Sequence, residues 1–396
     1  MKNTSTIYLD HQATTPLDSR VFEAMRPYFG ESFGNPHSSE HALGWRAAKA
    51  VEDAATKVAA MIGGDADEIV FTSGATEANN LALLGVARRA VGGARNRILL
   101  CSTEHKCVLQ IGRILEQQLG FEVVHLPVDP EGRLDLASLG SELDEDVLLV
   151  SVMAANNEIG TLQDIPEIAR LTSKFGILLH CDAAQAACAM DMSRFADLVD
   201  LISLSGHKMY GPMGIGALYV RRELKGAIEP LVYGGGQQDG LRSGTLPTAL
   251  CVGLGHAASL VFGDQGVLER TNLALRRDFL LRRLKEVPHP IWMNGPKNMD
   301  HRHPGNINIG FQGVDAADLL SRIQPQLAAS TGSACTSGNF EPSHVLRAIG
   351  LSDEEAGSSI RLSVGRHSTE DELVEAVGIL RNAIEQISRE NVSIFA

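Results

Sequence analysis

The chain has 396 residues, 44% of them hydrophobic, enough for a large buried core and two or three domains. Its 35 basic and 48 acidic residues leave a net charge of −13, which argues against broad affinity for nucleic acid; only Arg88, Arg89, Arg95 and Arg97 form a local basic patch. No apolar run approaches ~18 residues, and the start runs into strand-like sequence without a targeting core, so a cytoplasmic protein with no membrane contact is expected.

In chain order, the first strong signal is a helical apolar period over 38–62, with Ser38 or Ser39 as candidate N-cap and Gly63-Gly64 as the stop. Short apolar runs at 68–71, 98–101, 121–126, 147–153, 177–181 and 198–204 then alternate with helical patterns at 75–91, 106–119 and 165–175. That alternation predicts a largely parallel sheet covered on both faces, with ligands beyond the carboxyl ends of its strands. Helical patterns at 243–262 and 265–286 follow. Alternating strands at 307–311 and 359–364 and a long amphipathic helix over 369–390 come last, the helix opened by a Thr369–Glu372 capping box. This last part reads as a smaller α+β domain, joined by the extreme N-terminus.

Chemistry-bearing residues gather where these strands end. Lys208 stands in Ser205-Gly206-His207-Lys208, just past the run 198–204. A lysine at the mouth of a buried strand is costly to desolvate and becomes a nucleophilic amine, though a solvated loop lysine is the ordinary reading. Asp182 closes the run 177–181, with Gln185 three residues on. A carboxylate there needs a cation to answer it, and the protonated ring nitrogen of pyridoxal phosphate would do so. Thr72-Ser73-Gly74-Ala75-Thr76-Glu77 opens a helix after a strand, which suits a phosphate and equally an ordinary capped helix. His105, at the same edge, fits either a ring-stacking imidazole or a hydrogen-bonded structural residue.

The six cysteines lie far apart, with no Cys-x-x-Cys pair and no zinc spacing, so no metal site is expected. Cys101, Cys107, Cys181, Cys188 and Cys251 lie in or beside apolar runs and read as buried free thiols. Cys335 differs: it sits among small and polar residues at 330–338 that resist packing into a core.

Tyr8-Leu9-Asp10, Gly34-Asn35-Pro36-His37-Ser38, Thr72 to Glu77, Thr103-Glu104-His105-Lys106, Asn156-Asn157-Glu158-Ile159-Gly160, Asp182 to Gln185, Ser205 to Lys208, Arg242-Ser243-Gly244-Thr245, Ser333-Ala334-Cys335 and Ser359-Ile360-Arg361 occur in one order. In this the chain resembles the NifS/IscS-type cysteine desulfurases over nearly its full length. The resemblance implies an α/β fold of the fold type I pyridoxal-phosphate transferases, with a mainly parallel seven-stranded sheet between helices. It implies a large domain over 15–262 and a small α+β domain over 1–14 and 263–396, whose mobile loop at about 328–342 carries the catalytic cysteine.

By the same resemblance, Lys208 binds pyridoxal phosphate through its amine, Asp182 pairs with the ring nitrogen, Gln185 meets the phenolic oxygen and His105 stacks on the ring. Ala75, Thr76, Ser205 and His207 hold the phosphate, with Thr245 supplied by the partner of a homodimer. Asn35, Asn156 and Arg361 hold the substrate, and Asn156 also borders the cofactor. Cys335, with Lys208 and His105, carries the reaction of L-cysteine to L-alanine, leaving a persulfide for an acceptor protein. Iron–sulfur assembly, transfer-RNA thiolation and DNA sulfur modification all begin from such a persulfide.

Departures from the family pattern are Met213 for a usual lysine, Gln238-Asp239 for Glu-Arg, His11 for Tyr or Asn, and Cys181 for Val. Met213, Gln238, Asp239 and His11 are expected at the site rim or dimer interface, and Cys181 in strand core. The end at Ala396, without the long tail of housekeeping members, predicts a dedicated acceptor rather than the usual scaffold. Rival readings are another fold type I enzyme, such as a selenocysteine lyase or aminotransferase, and a non-catalytic docking protein on the same fold.

Overall fold

The computed structural model describes residues 6–332 and 342–394. Cys335 lies outside the described residues, as does most of the predicted loop around it. Twelve strands are described: β1 (Ile7–Tyr8), β2 (Ile69–Thr72), β3 (Arg97–Cys101), β4 (Glu122–Leu126), β5 (Val147–Ser151), β6 (Leu178–Asp182), β7 (Leu201–Ser205), β8 (Gly216–Val220), β9 (Ile291–Met293), β10 (Asn306–Phe311), β11 (Leu327–Ala328) and β12 (Ser359–Ser363).

Seven of them form the main sheet in the order β2-β8-β7-β6-β5-β3-β4. The pairs among β3 to β7 are parallel, and β8 runs antiparallel to both β7 and β2. Successive residues of β3 face opposite sides, Ile98 and Leu100 into one core and Leu99 and Cys101 into the other. Both faces are therefore covered, which explains why these strands read as continuous apolar runs rather than alternating ones. The helix Ala75–Ala90 is buried almost all round, including Asn79 and the run Leu81 to Ala87. A polar side chain in that helix must find a partner.

A separate core joins Leu9, Leu273, Leu280, Ile309, Phe311, Ile360, Leu380 and Ile384. It packs on the antiparallel sheet β12-β10-β9, and β1 reaches it by pairing in parallel with β11. The Thr369–Glu372 capping box is present, Glu372 N donating to Thr369 Oγ1 and Thr369 N to Glu372 Oε2.

Several expectations need correction. The helix expected from residue 38 is Ala42–Ile62, capped by the His41 ring, which accepts from Gly44 N; Ser38 is instead held in a turn, its N–H donating to Asn35 O. The stop is as expected: Gly63 has φ 78, a left-handed conformation that glycine takes without a Cβ penalty. The helix expected from 243 begins at Thr248, because Pro247 and the Gly244 turn (φ 116) hold the preceding residues off helical geometry. Strands β8, β9 and β11 were not anticipated; β8 starts inside a glycine-rich stretch, and the other two are only three and two residues long.

Candidate active site

β2, β3, β5, β6 and β7 end at one edge of the sheet, and each leads directly into expected site residues. β2 runs into the helix starting at Ala75, β3 into His105, β5 into Asn156, β6 ends on Asp182, and β7 runs into Lys208. β3 lies between β4 and β5, so the chain reverses its direction across the sheet there, and crevices form at such a switch.

Asp182 is buried, and its charge is met by donors. Asn79 Nδ2 donates to Oδ2 at 2.7 Å and Ala184 N to Oδ1 at 3.0 Å. The second amide hydrogen of Asn79 goes to Cys107 Sγ at 3.3 Å. That sulfur lies 3.0 Å from His105 Nδ1, which also accepts from Cys107 N at 3.2 Å, because His105 is the N-cap of the helix Lys106–Leu119. Two residues before Asp182, the His180 ring bridges Ser151 on β5 and Ser203 on β7 at 2.8 and 3.1 Å. Burial lowers its pKa to about 4, so it is a neutral spacer that fixes β6 in register.

Lys208 Nζ donates to the carbonyls of Gln12 and Ala13 at 2.6 and 2.7 Å. Gln185 Nε2 donates to the same Gln12 carbonyl at 2.8 Å, so an N-terminal strap covers both groups. His207 Nδ1 meets Thr14 Oγ1 at 3.1 Å, and burial, then Lys208, lowers its pKa to about 4. Ser205 is buried at the end of β7.

Among the described residues, no side chain caps the first turn of the helix Ala75–Ala90. Its N-cap, Gly74, has φ 154 and ψ 179, a conformation other residues rarely adopt, and it faces open space among the described residues. The backbone N–H groups at Ala75 and Thr76 are thus available to an anion. Arg242 clamps this turn from outside, Nε to Glu77 Oε1 at 2.8 Å, while Ser73 N donates to Glu77 Oε2. Thr245 is exposed beside Arg242.

Arg361 is buried. Its Nη2 donates to Asp10 Oδ1 at 2.6 Å and to Ser330 Oγ at 3.0 Å, and Nη1 to Asn157 O at 2.6 Å. Its Nε is buried with no partner among the described residues. Asn156 lies in the adjacent loop, but its side chain is engaged in holding that loop: Oδ1 accepts from Glu158 N and Ile159 N, and Nδ2 donates to Thr103 O. Arg302, buried and with its pKa lowered to about 9 by burial, pins the same loop through Ile159 O. Asn35 is exposed, and its side chain accepts from His37 N, a local turn rather than a contact with the other site residues.

Two of the departures are held by contacts within the chain. His11 is buried, edge-on to Tyr8 at 4.9 Å between ring centroids and pressed against Gly365; burial lowers its pKa to about 4. Gln238 closes the outer edge of β2, its amide pairing with both the N–H and the carbonyl of Phe71 at 2.6 and 3.0 Å, as a neighbouring strand would. Asp239 pairs with Lys225 at 3.0 Å, and Met213 is exposed. Cys181 is strand core, as expected. Cys107, expected as a buried thiol, is only half-buried and belongs to the site.

Asn79, Cys107, Gln12 and Glu104 were missed from sequence. Glu104 is fully buried; burial, then the Asp182 carboxylate, pushes its pKa up to about 8. Only the acid-next-to-histidine pair in Thr103-Glu104-His105 could have flagged it. The residues present fit pyridoxal phosphate: a buried carboxylate answered, among the described residues, by the neutral donors of Asn79 and Ala184, a helix start open to the phosphate, and a lysine between them.

The class-V aminotransferase family model matches residues 7–376. Cysteine desulfurase IscS of Rickettsia felis is 46% identical over 385 residues, covering 96% of this chain and 92% of its own length. A solved NifS-like protein superposes with TM-score 0.87 at 32% identity, covering 96% of this chain and all of that one. A structure of SspA in complex with cysteine gives TM-score 0.79 at 34% identity, covering 91% of this chain and 99% of that one. Among the described residues, no helix is long and apolar enough to cross a membrane.

Proposed function

The chain belongs to the class-V aminotransferases and is a cysteine desulfurase, and from that premise we propose how its own residues carry the reaction. The observation that carries the assignment is the adjacency of Asp182 and Lys208, at the carboxyl ends of neighbouring parallel strands beside the uncapped helix at Ala75.

Pyridoxal phosphate, when bound, supplies the electron sink that makes the substrate α-carbon acidic. Asp182 would hold its ring nitrogen, His105 would stack on the ring and Gln185 would meet the phenolic oxygen. Ala75, Thr76, Ser205 and His207 hold the phosphate. Thr245, exposed on its loop, adds to the phosphate site of the partner subunit in a homodimer. Arg361 takes the substrate carboxylate, Asn156 serving by bracing the adjacent loop, and Asn35 borders the substrate. Lys208 moves the proton at the substrate α-carbon.

Cys335, as thiolate, attacks the cysteine sulfur: an S–S bond forms as the substrate's Cβ–S bond breaks, the electron pair stays with the carbon and is protonated, and the products are a persulfide on Cys335 and L-alanine. Support comes from the residues flanking its segment. Ser330 is bonded to Arg361, Ser343 Oγ donates to Glu158 Oε2 at 2.5 Å, and His344 Nε2 meets Glu104 O at 2.9 Å, so both flanks are tied to the site. The persulfide then passes to a protein thiol in the cytoplasm. The division into 15–262 and 1–14 with 263–396 puts Lys208 and Asp182 on one unit and Arg361 and Cys335 on the other, so the site forms between them.

Replacement Cys335→Ala tests this reading. It should keep cofactor absorbance and lose all persulfide and alanine formation; desulfuration that survives the change would overturn the role given to Cys335.

A further inference from the structure

The hydrogens around Cys107 can be assigned by elimination. Asn79 has two amide hydrogens, and both are committed, one to Asp182 Oδ2 and one to Cys107 Sγ. The reverse amide orientation would turn the Asn79 oxygen toward the carboxylate, which repels it. The sulfur therefore accepts from Asn79. On its other side, Cys107 N–H points at His105 Nδ1, so that nitrogen carries no hydrogen and is an acceptor. Sγ, 3.0 Å from the same nitrogen, can then approach it only as a donor, with the thiol hydrogen between them. A thiolate would face the Nδ1 lone pair, which is repulsive.

We propose that Cys107 is a positioning residue for His105: its backbone N–H and its thiol both donate to Nδ1, fixing the ring as the Nε2–H tautomer, and its sulfur ties that ring through Asn79 to Asp182. Two groups assigned to opposite jobs, the stacked imidazole and the carboxylate at the ring nitrogen, are thereby joined by one directional chain. A proton arriving at Nδ1 would have to displace both donors, so the ring offers a hydrogen at Nε2 and no free lone pair. The bland alternative is that Cys107 fills space in the first helical turn, as alanine would.

The consequence for the site rests on the roles given above, but the tautomer does not, and it is measured first on the full chain without cofactor. Histidine labelled with nitrogen-15 reports which ring nitrogen carries the hydrogen, and His105→Gln identifies the signals. Wild type and Cys107→Ser should both show the Nε2–H form, because a hydroxyl donates as the thiol does. Cys107→Ala should raise the remaining forms about fivefold, the worth of one hydrogen bond. Cys107→Val, close to the thiol in shape and without a donor, gives the same comparison should alanine fail to fold. Unchanged populations in the variants lacking a donor, or a serine variant that behaves like alanine, overturn the proposal. With pyridoxal phosphate and cysteine added, kcat should fall severalfold in Cys107→Ala with KM unchanged and recover in Cys107→Ser; a loss confined to KM would also overturn it. A chain without desulfurase activity would leave the tautomer result standing, so the two readings fail separately.

Discussion

Asn79 donates to Asp182 at 2.7 Å from a helix that is buried on nearly every side, so the acid at the end of β6 is oriented by a neighbour across the sheet rather than by solvent. Removing it leaves a buried carboxylate oxygen without its described donor, at a cost of about 1–3 kcal/mol. The carboxylate is then also free to turn away from the ring nitrogen it would hold. Asn79→Ala is expected to weaken pyridoxal phosphate binding about tenfold, or about 1.4 kcal/mol. Titration of cofactor-free protein, followed by absorbance, measures this, and an unchanged affinity would show that Asp182 needs no such support.

The strand ends were legible because a buried run that closes on Asp182 or leads into Lys208 breaks its own pattern. Strands β3 to β7 announced themselves as apolar stretches, and the sheet could be read as parallel from their alternation with helices. Asn79 gave no such sign. It stands in an ordinary helical stretch, and only the packing of that helix over the sheet brings it to Asp182. Cys107 was masked by the apolar residues after it, and nothing near His11 signalled that its ring is buried. Sequence shows which residues are costly to bury; which partner meets them depends on contacts between residues such as Asn79 and Asp182, 103 positions apart.

Arg361 spends two of its nitrogens on Asp10, Ser330 and Asn157, and its Nε has no partner among the described residues; in the role proposed for it, Nε would meet the substrate carboxylate. A lysine retains the charge but not the fork, and cannot bond Asp10 while also meeting a carboxylate in the plane. Arg361→Lys should lower kcat/KM for cysteine about a hundredfold, about 2.7 kcal/mol, chiefly through KM. Alanine release measured across cysteine concentrations separates the two; a fall in kcat alone would move Arg361 away from substrate binding.

Gln238 completes the main sheet by serving its outermost strand with a side-chain amide, and it bonds Arg242 O at 3.3 Å as well. Its replacement by alanine exposes the Phe71 backbone groups along a rim already open beside Asp67 and Leu246. Gln238→Ala should cost about 1–3 kcal/mol of stability, seen as a lower denaturant midpoint with an unchanged slope. Gln238→Glu should cost more, since a carboxylate accepts from Phe71 N but repels Phe71 O. Equal midpoints for all three proteins would show that water serves the edge as well as Gln238 does.

Glu104 lies within the field of Asp182, accepts from Met153 N through Oε1 at 2.5 Å, and has no described partner at Oε2. Its pKa of about 8 in the fold, against an ordinary 4.5, means that the folded chain keeps a proton that the unfolded chain releases. The stability from holding that proton is fully present below about 4.5 and is lost as pH rises through about 8. A glutamine keeps the acceptor for Met153 N and never ionises. Relative to Glu104→Gln, the wild type should therefore lose stability between pH 5 and pH 8.5, by ~1–3 kcal/mol after allowance for relaxation around a buried charge. Denaturant unfolding of the two proteins across that range decides it. Parallel curves would mean that Glu104 is charged in the fold throughout, and that Asp182 shares its pocket with a second negative charge.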